Sequence, residues 1–231
     1  ASVTASAFVA NGYTLEFDQG LAVQAAADTF VLLPGFEYLH PNVAIQHSTR
    51  AVPNDPLYGN QWHLNNTGQS GGTGGADANS ESVWDNYTGL GVTIGIIDDG
   101  LEIDHEDLLR NVNTTIDFDW NGNDSDPSPG AGDFHGTAVA GVAAARGNNG
   151  VGVTGAAWNA ELVGLRLIAG AVTDLKEAQA LTHSSDVIDV YNNSWGPADD
   201  GKISSIGPQA LAALEQAATS GRGGLGNIHA W

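Results

Sequence analysis

The sequence predicts an α/β fold in which a mostly parallel sheet lies between layers of helices. Residues 92–97 form a short β-branched apolar run that ends in two carboxylates and a glycine, which is typical of a buried parallel strand. His135 opens a run of small apolar residues, which predicts a buried helix. Further downstream, apolar runs alternate with helical patterns, and this alternation favours parallel strands joined by right-handed crossovers.

Residues 1–51 are predicted to form a separate, small α+β extension. Their short alternating pieces, at 13–17 and 29–33, are broken by Asn-Gly, Gln-Gly and Pro-Gly turns, and a helix is expected at 22–27. No cluster of titratable residues occurs there. The main domain is therefore expected to span 52–231.

The main domain begins with connecting segments before the first buried strand. Residues 53–56 are predicted to be a linker, the glycine-rich stretch 68–75 a surface loop, and residues 80–87 a short helix. Beyond His135, strands are predicted at 162–168, 187–192 and 226–231, and helices at 174–183 and 208–219. Because the chain stops inside the last strand, which leaves an open sheet edge, we expect a sheet that is incomplete at the C-terminus.

Composition narrows the function classes. The 231 residues are 42% hydrophobic, which is enough for one well-buried domain and a small additional unit. A net charge of −20, from 27 acids and 7 bases, argues against a nucleic-acid partner and suits cationic substrates, metal ions or solubility in salt. The absence of cysteine excludes disulfides and a thiol nucleophile. No apolar run approaches the roughly 18 residues that a membrane span needs.

Two motifs place an acid at the end of a predicted strand and a base at the start of a predicted helix, where α/β proteins often have their active sites. Asp98 and Asp99 follow the strand 92–97, and His135 begins the small-residue helix. An aspartate at a strand end and a histidine at a helix start are two members of an Asp-His-Ser triad, in the chain order Asp, His, Ser. Each motif by itself has an alternative explanation, since a lone D-D-G is usually a turn after a strand and a lone histidine at this position is also compatible with a helix cap. Their combination favours the triad and predicts a hydrogen bond between Asp98 and His135.

With these motifs, the chain resembles the subtilisin-like serine proteases, most closely the kexin and furin branch. The resemblance covers about 55–231 and rests on five segments: D-D-G-L-E-I-D-H-E-D-L, H-G-T-A-V-A-G, R-G-N-N-G-V-G-V, N-N-S-W-G-P-A-D-D-G and G-R-G-G-L-G. It implies a subtilisin-like three-layer α/β/α fold, a serine endopeptidase, and a secreted, periplasmic or extracellular location.

The resemblance also implies the roles of the triad residues. Asp98 is the triad acid, and His135 is the base that a weakly nucleophilic serine hydroxyl requires. The family's nucleophile lies in a G-T-S-x-A segment, which this sequence lacks, and its oxyanion asparagine would follow Trp231. We therefore expect these 231 residues to be inactive alone and to need the downstream remainder of the peptidase domain as a partner.

Kexin-like proteases recognise basic residues through acids in their substrate pockets. Gly132 occupies one position where the family has an acid, with Asp133 one step later, and 204–206 replaces another. The resemblance therefore implies a polypeptide substrate with Lys or Arg, recognised less strictly than in the family; the alternative is that the acids bind calcium or face solvent. The matching acids are Asp99, Glu177 and Asp199, and the segment that lines the primary pocket is Ser194, Trp195 and Gly196.

Calcium is the cofactor that the resemblance implies. Hard cations prefer oxygen ligands from carboxylates, amides and carbonyls. By resemblance, the first site consists of the side chains of Asp55, Asp107 and Asn149 and the carbonyls of Arg146, Val151 and Val153. Asp199 resembles a ligand of a second site. The acidic tract 117–126 lacks the terminal glutamate of an EF-hand and is interpreted as a surface loop.

Two alternatives stay open at this level. Residues 34–41, P-G-F-E-Y-L-H-P, are similar to the end of a subtilase propeptide, and the alternative is an ordinary N-terminal extension. The whole chain also fits a non-catalytic protein that binds basic peptides on a subtilisin scaffold, because a fold does not by itself fix a function. A downstream G-T-S-x-A segment separates the protease from the binding protein.

Overall fold

The computed structural model describes residues 2–6, 12–16, 52–197, 200–201 and 205–231. The chain divides into two compact units, Ala1–Ser48 and Thr49–Trp231. In the first unit, β1 (Ser2–Ala5) pairs antiparallel with β2 (Tyr13–Glu16). The pieces predicted at 22–27 and 29–33, the propeptide-like segment 34–41 and Asp199 lie outside the described residues.

The second unit is built on a five-stranded sheet in which every pair of neighbours is parallel, as predicted. The strand order is β4-β5-β3-β6-β7. The central strand β3 has all six residues buried, which agrees with its apolar run. The strands are β3 (Thr93–Asp98), β4 (Phe118–Asp119), β5 (Glu161–Arg166), β6 (Val190–Asn192) and β7 (Ile228–Ala230).

Three α-helices accompany the sheet in the described part of the second unit. They are α1 (His135–Ala144), α2 (Asp174–Leu181) and α3 (Pro208–Gly224). Near the C-terminal end of α3, the backbone at 221–223 is not helical. Single 3-10 turns occur at Tyr58–Asn60 and Ser80–Ser82.

The short helix predicted at 80–87 is wrong beyond Ser80–Ser82. The backbone continues there in turns, and Trp84 is buried in a local aromatic cluster. Its ring stacks on Trp158 with centroids 4.6 Å apart, and its Nε1 donates to the carbonyl of Ala156. These tertiary contacts fix the side chain of Trp84, and the segment after Ser82 forms turns instead of a regular helix.

Alternate residues of the central strands face opposite helix layers. Ile94, Ile96 and Leu162 pack with buried alanines of α1, whereas Ile97 and Val163 pack in the core that contains buried residues of α2 and α3. The result is the expected three-layer α/β/α arrangement. Side chains in a strand alternate between faces, so Asp98 shares the face of Ile94 and Ile96 and is directed toward α1.

The interpretation of 117–126 as an acidic surface loop is wrong for its first half. Asp117, Asp119 and Trp120 are only 4%, 3% and 6% exposed. Phe118–Asp119 forms β4, which pairs with β5, and the Asp117 carboxylate accepts the N–H of Gly164 at 2.7 Å. Backbone and cation partners on β5 allow these acids to be buried, and such partners are invisible in the local composition.

Candidate active site

Asp98 and His135 meet where the C-terminal end of β3 faces the start of α1. The imidazole Nδ1 lies 2.9 Å from Oδ1 and 3.1 Å from Oδ2 of the carboxylate. Asp98 is fully buried, whereas the His135 side chain is 55% exposed. The hydrogen bond expected from the sequence is present, and it leaves Nε2 for another partner. An acid buried behind one ring nitrogen fixes the tautomer that a general base needs.

The pair also changes the proton affinities of its members. The hydrogen bond and the negative charge of Asp98 raise the pKa of His135 above its ordinary value of 6.5. Burial raises the pKa of Asp98, and its hydrogen bonds to His135 and to the Asp99 N–H offset part of that rise. The imidazole is therefore a stronger base than a free histidine.

Asp99 fixes the start of α1. Its two carboxylate oxygens accept the backbone N–H groups of His135 at 3.1 Å and Gly136 at 2.7 Å. These are among the N–H groups that a helix leaves without an internal partner, and a negative charge is favourable at that end of the helix dipole. The residue interpreted as a substrate-binding acid therefore also caps the helix that carries His135.

Gly136 allows α1 to approach β3 closely. A Cβ atom on this residue would lie 2.2 Å from the carbonyl oxygen of Gly100 and 2.8 Å from the Cβ of Asp98. Since real side chains do not tolerate such distances, only glycine fits at this position. The glycine of the H-G-T motif is thus a packing requirement of the Asp98–His135 geometry.

Arg166 was missed by the sequence analysis. Its Nη1 lies 2.9 Å from Asp119, its Nη2 lies 3.0 Å from Asp133, and its Nε donates to the carbonyl of Asp99 at 2.9 Å. The available signal was a single arginine near the C-terminal end of a predicted strand, in a chain with only seven basic residues. Asp133, the acid nearest the position where the family has a pocket carboxylate, is thus paired within the chain.

The predicted pocket segment lies at the same end of the sheet. Trp195 Nε1 donates to the carbonyl of Ile97 at 2.9 Å, one residue before Asp98. Ser194 is exposed and accepts from the amide of Asn192, and Gly196 is also exposed. The segment is therefore fixed to the strand that carries the acid.

Glu177 lies on a different helix from His135. It occupies the first turn of α2, which packs in the layer opposite α1. Burial, with a contribution from Asp174, raises the pKa of its carboxyl. No contact in the described part of the chain joins Glu177 to Asp98 or His135.

Asp55, Asp107 and Asn149 come together from three distant stretches. The Asn149 backbone N–H donates to Asp55 at 3.1 Å, and its side-chain amide donates to Asp107 at 2.8 Å. Asp55 and Asp107 are only 4% and 2% exposed. A Cβ on Gly152 would lie 2.4 Å from Asp107 Oδ2, and its φ of +43° also favours glycine.

The donor chemistry of this group fits a hard cation. It joins two buried carboxylates and an amide, and in the described ranges no Lys or Arg side chain pairs with either carboxylate. Within the same residues, no hydrogen bond is donated to the carbonyls of Arg146, Val151 or Val153. No cluster of three His, Asp or Glu side chains suited to a metal occurs among the described residues, so any ion here relies on amide and carbonyl oxygens as well.

Comparison with known proteins identifies the class of this fold and site. Residues 89–231 match the model of the Subtilase family of peptidases, so the chain belongs to the subtilase family. Its sequence relatives include a PC3-like endoprotease, variant B, of Hydra vulgaris, which is 46% identical over 185 residues, 78% of this chain and 26% of that protein. Human neuroendocrine convertase 2 is 42% identical over 186 residues, 77% of this chain and 29% of that protein. The resemblance to the kexin- and furin-like branch is confirmed.

A solved structure agrees with the fold. The serine protease of Aeromonas sobria, in complex with the chaperone ORF2, superposes with a TM-score of 0.65 at 29% identity, over 77% of this chain and 31% of that one. The chain thus spans less than a third of the length of these relatives. In the ranges that the structure describes, no helix is both long and apolar enough to cross a membrane.

Proposed function

We propose that this chain supplies the acid and the base of a calcium-dependent serine endopeptidase of the subtilisin and kexin type. The observation that carries the proposal is the hydrogen bond of 2.9 Å between buried Asp98 and exposed His135, within the motifs of the family. The Nε2 atom of His135 accepts the proton of a serine hydroxyl as the hydroxyl attacks a peptide carbonyl. Asp98 stabilises the imidazolium and keeps its orientation.

The serine and the oxyanion asparagine belong, in this proposal, to a segment outside these 231 residues. The sequence contains no G-T-S-x-A segment, and the relatives are more than three times as long as the matched region. That segment is the partner which completes the site. The 231 residues alone are accordingly proposed to lack peptidase activity.

A preference for Lys or Arg in the substrate is proposed from charge. The chain carries a net charge of −20, and Asp99 lies next to the triad acid with its carboxylate oxygens each accepting one N–H. Each carboxylate oxygen can accept a second hydrogen bond, so Asp99 can also bind a cationic side chain of the substrate. Glu177 and Asp199 are proposed as further acids of the substrate site, with Ser194, Trp195 and Gly196 lining its primary pocket.

Calcium is proposed to bind at the Asp55–Asp107–Asn149 group, with the carbonyls of Arg146, Val151 and Val153 completing the ligands. Asp55, Asp107 and Asn149 would hold the ion, which would supply positive charge to the two buried carboxylates. A secreted or periplasmic location agrees with this, because extracellular modules bind calcium at the high concentrations found there. Residues 1–51 are proposed as a propeptide-like extension, supported by the separation of Ala1–Ser48 as its own unit.

The test uses the full-length protein and a fluorophosphonate probe, which labels an activated serine without knowledge of the natural substrate. Labelling and cleavage of an arginine-containing peptide are expected in the wild type and lost in His135→Ala. His183→Ala is the control, because His183 packs against Phe118 and Trp120 near β4, away from the dyad, and should lower stability without abolishing labelling. A protein that binds the peptide but shows no labelling would support the rival, a non-catalytic peptide-binding protein.

A further inference from the structure

Arg166 lies beside the proposed catalytic pair without touching the imidazole. It is the last residue of β5 and stands in register with Asp98 on β3 and with Asp119 on β4. Neighbours in register on parallel strands project from the same face of a sheet, so the arginine shares the α1 face with Asp98. Its side chain is only 17% exposed.

The guanidinium uses its three nitrogens on three different segments. Nε donates to the carbonyl of Asp99, the residue that follows β3, Nη1 pairs with Asp119 on β4, and Nη2 pairs with Asp133 in the loop before α1. All three distances lie between 2.9 and 3.0 Å. A planar fork of donors can satisfy three acceptors at fixed angles, which a lysine ammonium on a flexible stem cannot reproduce.

Both members of the pair are connected to this guanidinium by short paths. The Asp99 N–H donates to Asp98 at 2.8 Å, and the Asp99 carboxylate caps the helix that starts at His135. Asp133 precedes His135 by two residues. Arg166 therefore restrains the peptide that carries the acid and the loop that delivers the base.

We propose that Arg166 is a positioning residue that holds Asp98 and His135 in hydrogen-bonding geometry; this inference rests on the proposed function. Arg166 has no contact with the reacting atoms, so its action passes through Asp99 and Asp133. The alternative is an ion-pair network that contributes only to stability. The two are separated by kinetic readouts that a general loss of stability does not change.

The decisive variant is Arg166→Lys in the full-length protein, because it keeps the positive charge and removes the fork. We expect kcat to fall about 10- to 100-fold with KM nearly unchanged, since small misplacements of catalytic groups cost up to about 100-fold. The acid limb of the kcat/KM profile should shift to lower pH. Its cause is a looser hydrogen bond to Asp98, which holds the pKa of His135 above its ordinary value.

Arg222→Lys is the matched control. Arg222 pairs with Asp189 at 2.7 Å at the end of α3, is 32% exposed and is not connected to the dyad by any described contact. It should lose stability comparably while keeping the wild-type kcat and acid limb. If Arg166→Lys also kept both and lost only thermal stability, the network would be purely structural and the inference overturned.

Single-arm variants address the case in which Arg166→Lys does not fold. Asp133→Asn should lower kcat more than Asp119→Asn, because only Asp133 lies on the loop that leads into His135. Equal kcat values in the two variants would overturn the inference. Full activity in His135→Ala would instead overturn the proposed function, so the two failures are distinguishable.

Discussion

The buried carboxylates near the two ends of α1 have different kinds of partner. At its start, Asp98 faces a titratable base, His135, and lies in register with the cation Arg166. Beyond its end, Asp55 and Asp107 are just as buried but receive only N–H donors within the described ranges. The first arrangement controls where a proton is held. The second has negative charge in excess of its protein partners, and it suits a cation from solution.

The difference has an energetic reason. Burying a charge is costly unless opposite charge or several hydrogen bonds compensate it. Near Asp98, other residues of the chain compensate the negative charge, and the extent of this compensation depends on whether the His135 imidazole is protonated. Around Asp55 and Asp107, hydrogen bonds from the 148–153 loop supply part of it, so stability there is expected to depend on the ion. The two regions therefore predict different readouts, catalysis for one and calcium-dependent stability for the other.

The largest effect should follow from Asp98→Asn in the full-length protein. The amide keeps the shape of the carboxylate but cannot hold the same imidazole tautomer or stabilise its cation, so kcat should fall by about 10⁴-fold, as for the equivalent change in a serine protease triad. Steady-state kinetics and a thermal melt are the measurements. Asp104→Asn, at an exposed site, is the control. A kcat within tenfold of the wild type would remove the distinction between the two regions.

Calcium should act on the other end of α1. Binding to the native state adds RT ln(1 + [L]/Kd), about 2.7 kcal/mol at a hundredfold excess over Kd. The melting temperature should therefore rise with calcium and fall with chelator. Asp107→Ala should remove most of this response. Glu106→Ala, one residue earlier and exposed, should keep it. Equal melting temperatures in millimolar calcium and in chelator would contradict the site.

Asp117 provides an intermediate case with neither base nor cation. Burial raises the pKa of its carboxyl to about 6, from an ordinary 3.8, and its Oδ2 has no partner. Because the folded-state pKa is the higher one, the carboxyl favours folding most below pH 4, and that contribution is lost as pH rises toward 6. Asp117→Asn should therefore stabilise the protein at pH 7 by about 1–3 kcal/mol, since one pKa unit is worth 1.36 kcal/mol.

Denaturant unfolding of the wild type and Asp117→Asn at pH 4 and pH 7 measures this effect. The amide can still accept the N–H of Gly164, so the substitution preserves the one hydrogen bond of the buried carboxylate. A variant that is less stable than the wild type at pH 7 would show that the ionised carboxylate has a stabilising partner.

The smallest effect concerns Asp99. Its charge contributes to the raised pKa of His135, after the larger contribution of Asp98. His135 must be neutral to act as a base, so a raised pKa places the acid limb of kcat/KM above the pH of an ordinary histidine, and Asp99→Asn should move that limb to lower pH. Asp104→Asn should leave it in place. An upward shift would mean that loss of the helix cap outweighs loss of the charge.

Sequence alone determined the elements whose signals are local. The apolar run 92–97 predicted β3, found at Thr93–Asp98, and the small residues after His135 predicted α1. The hydrogen bond between Asp98 and His135 was predicted from the interpretation of the two residues as members of an Asp-His-Ser triad, and it is present. The strand and helix predictions succeeded because each pattern lies within about a dozen consecutive residues.

Only the tertiary structure decided which polar groups are buried and what they contact. Arg166 joins Asp99, Asp119 and Asp133 across 33 to 67 residues of sequence, and the burial of Asp119 follows from that pairing. The acidic composition of 117–126 indicated a surface, because a carboxylate without a visible partner belongs in water. Its partners come from strand register and helix approach, and neither is encoded in the local pattern of the residues concerned.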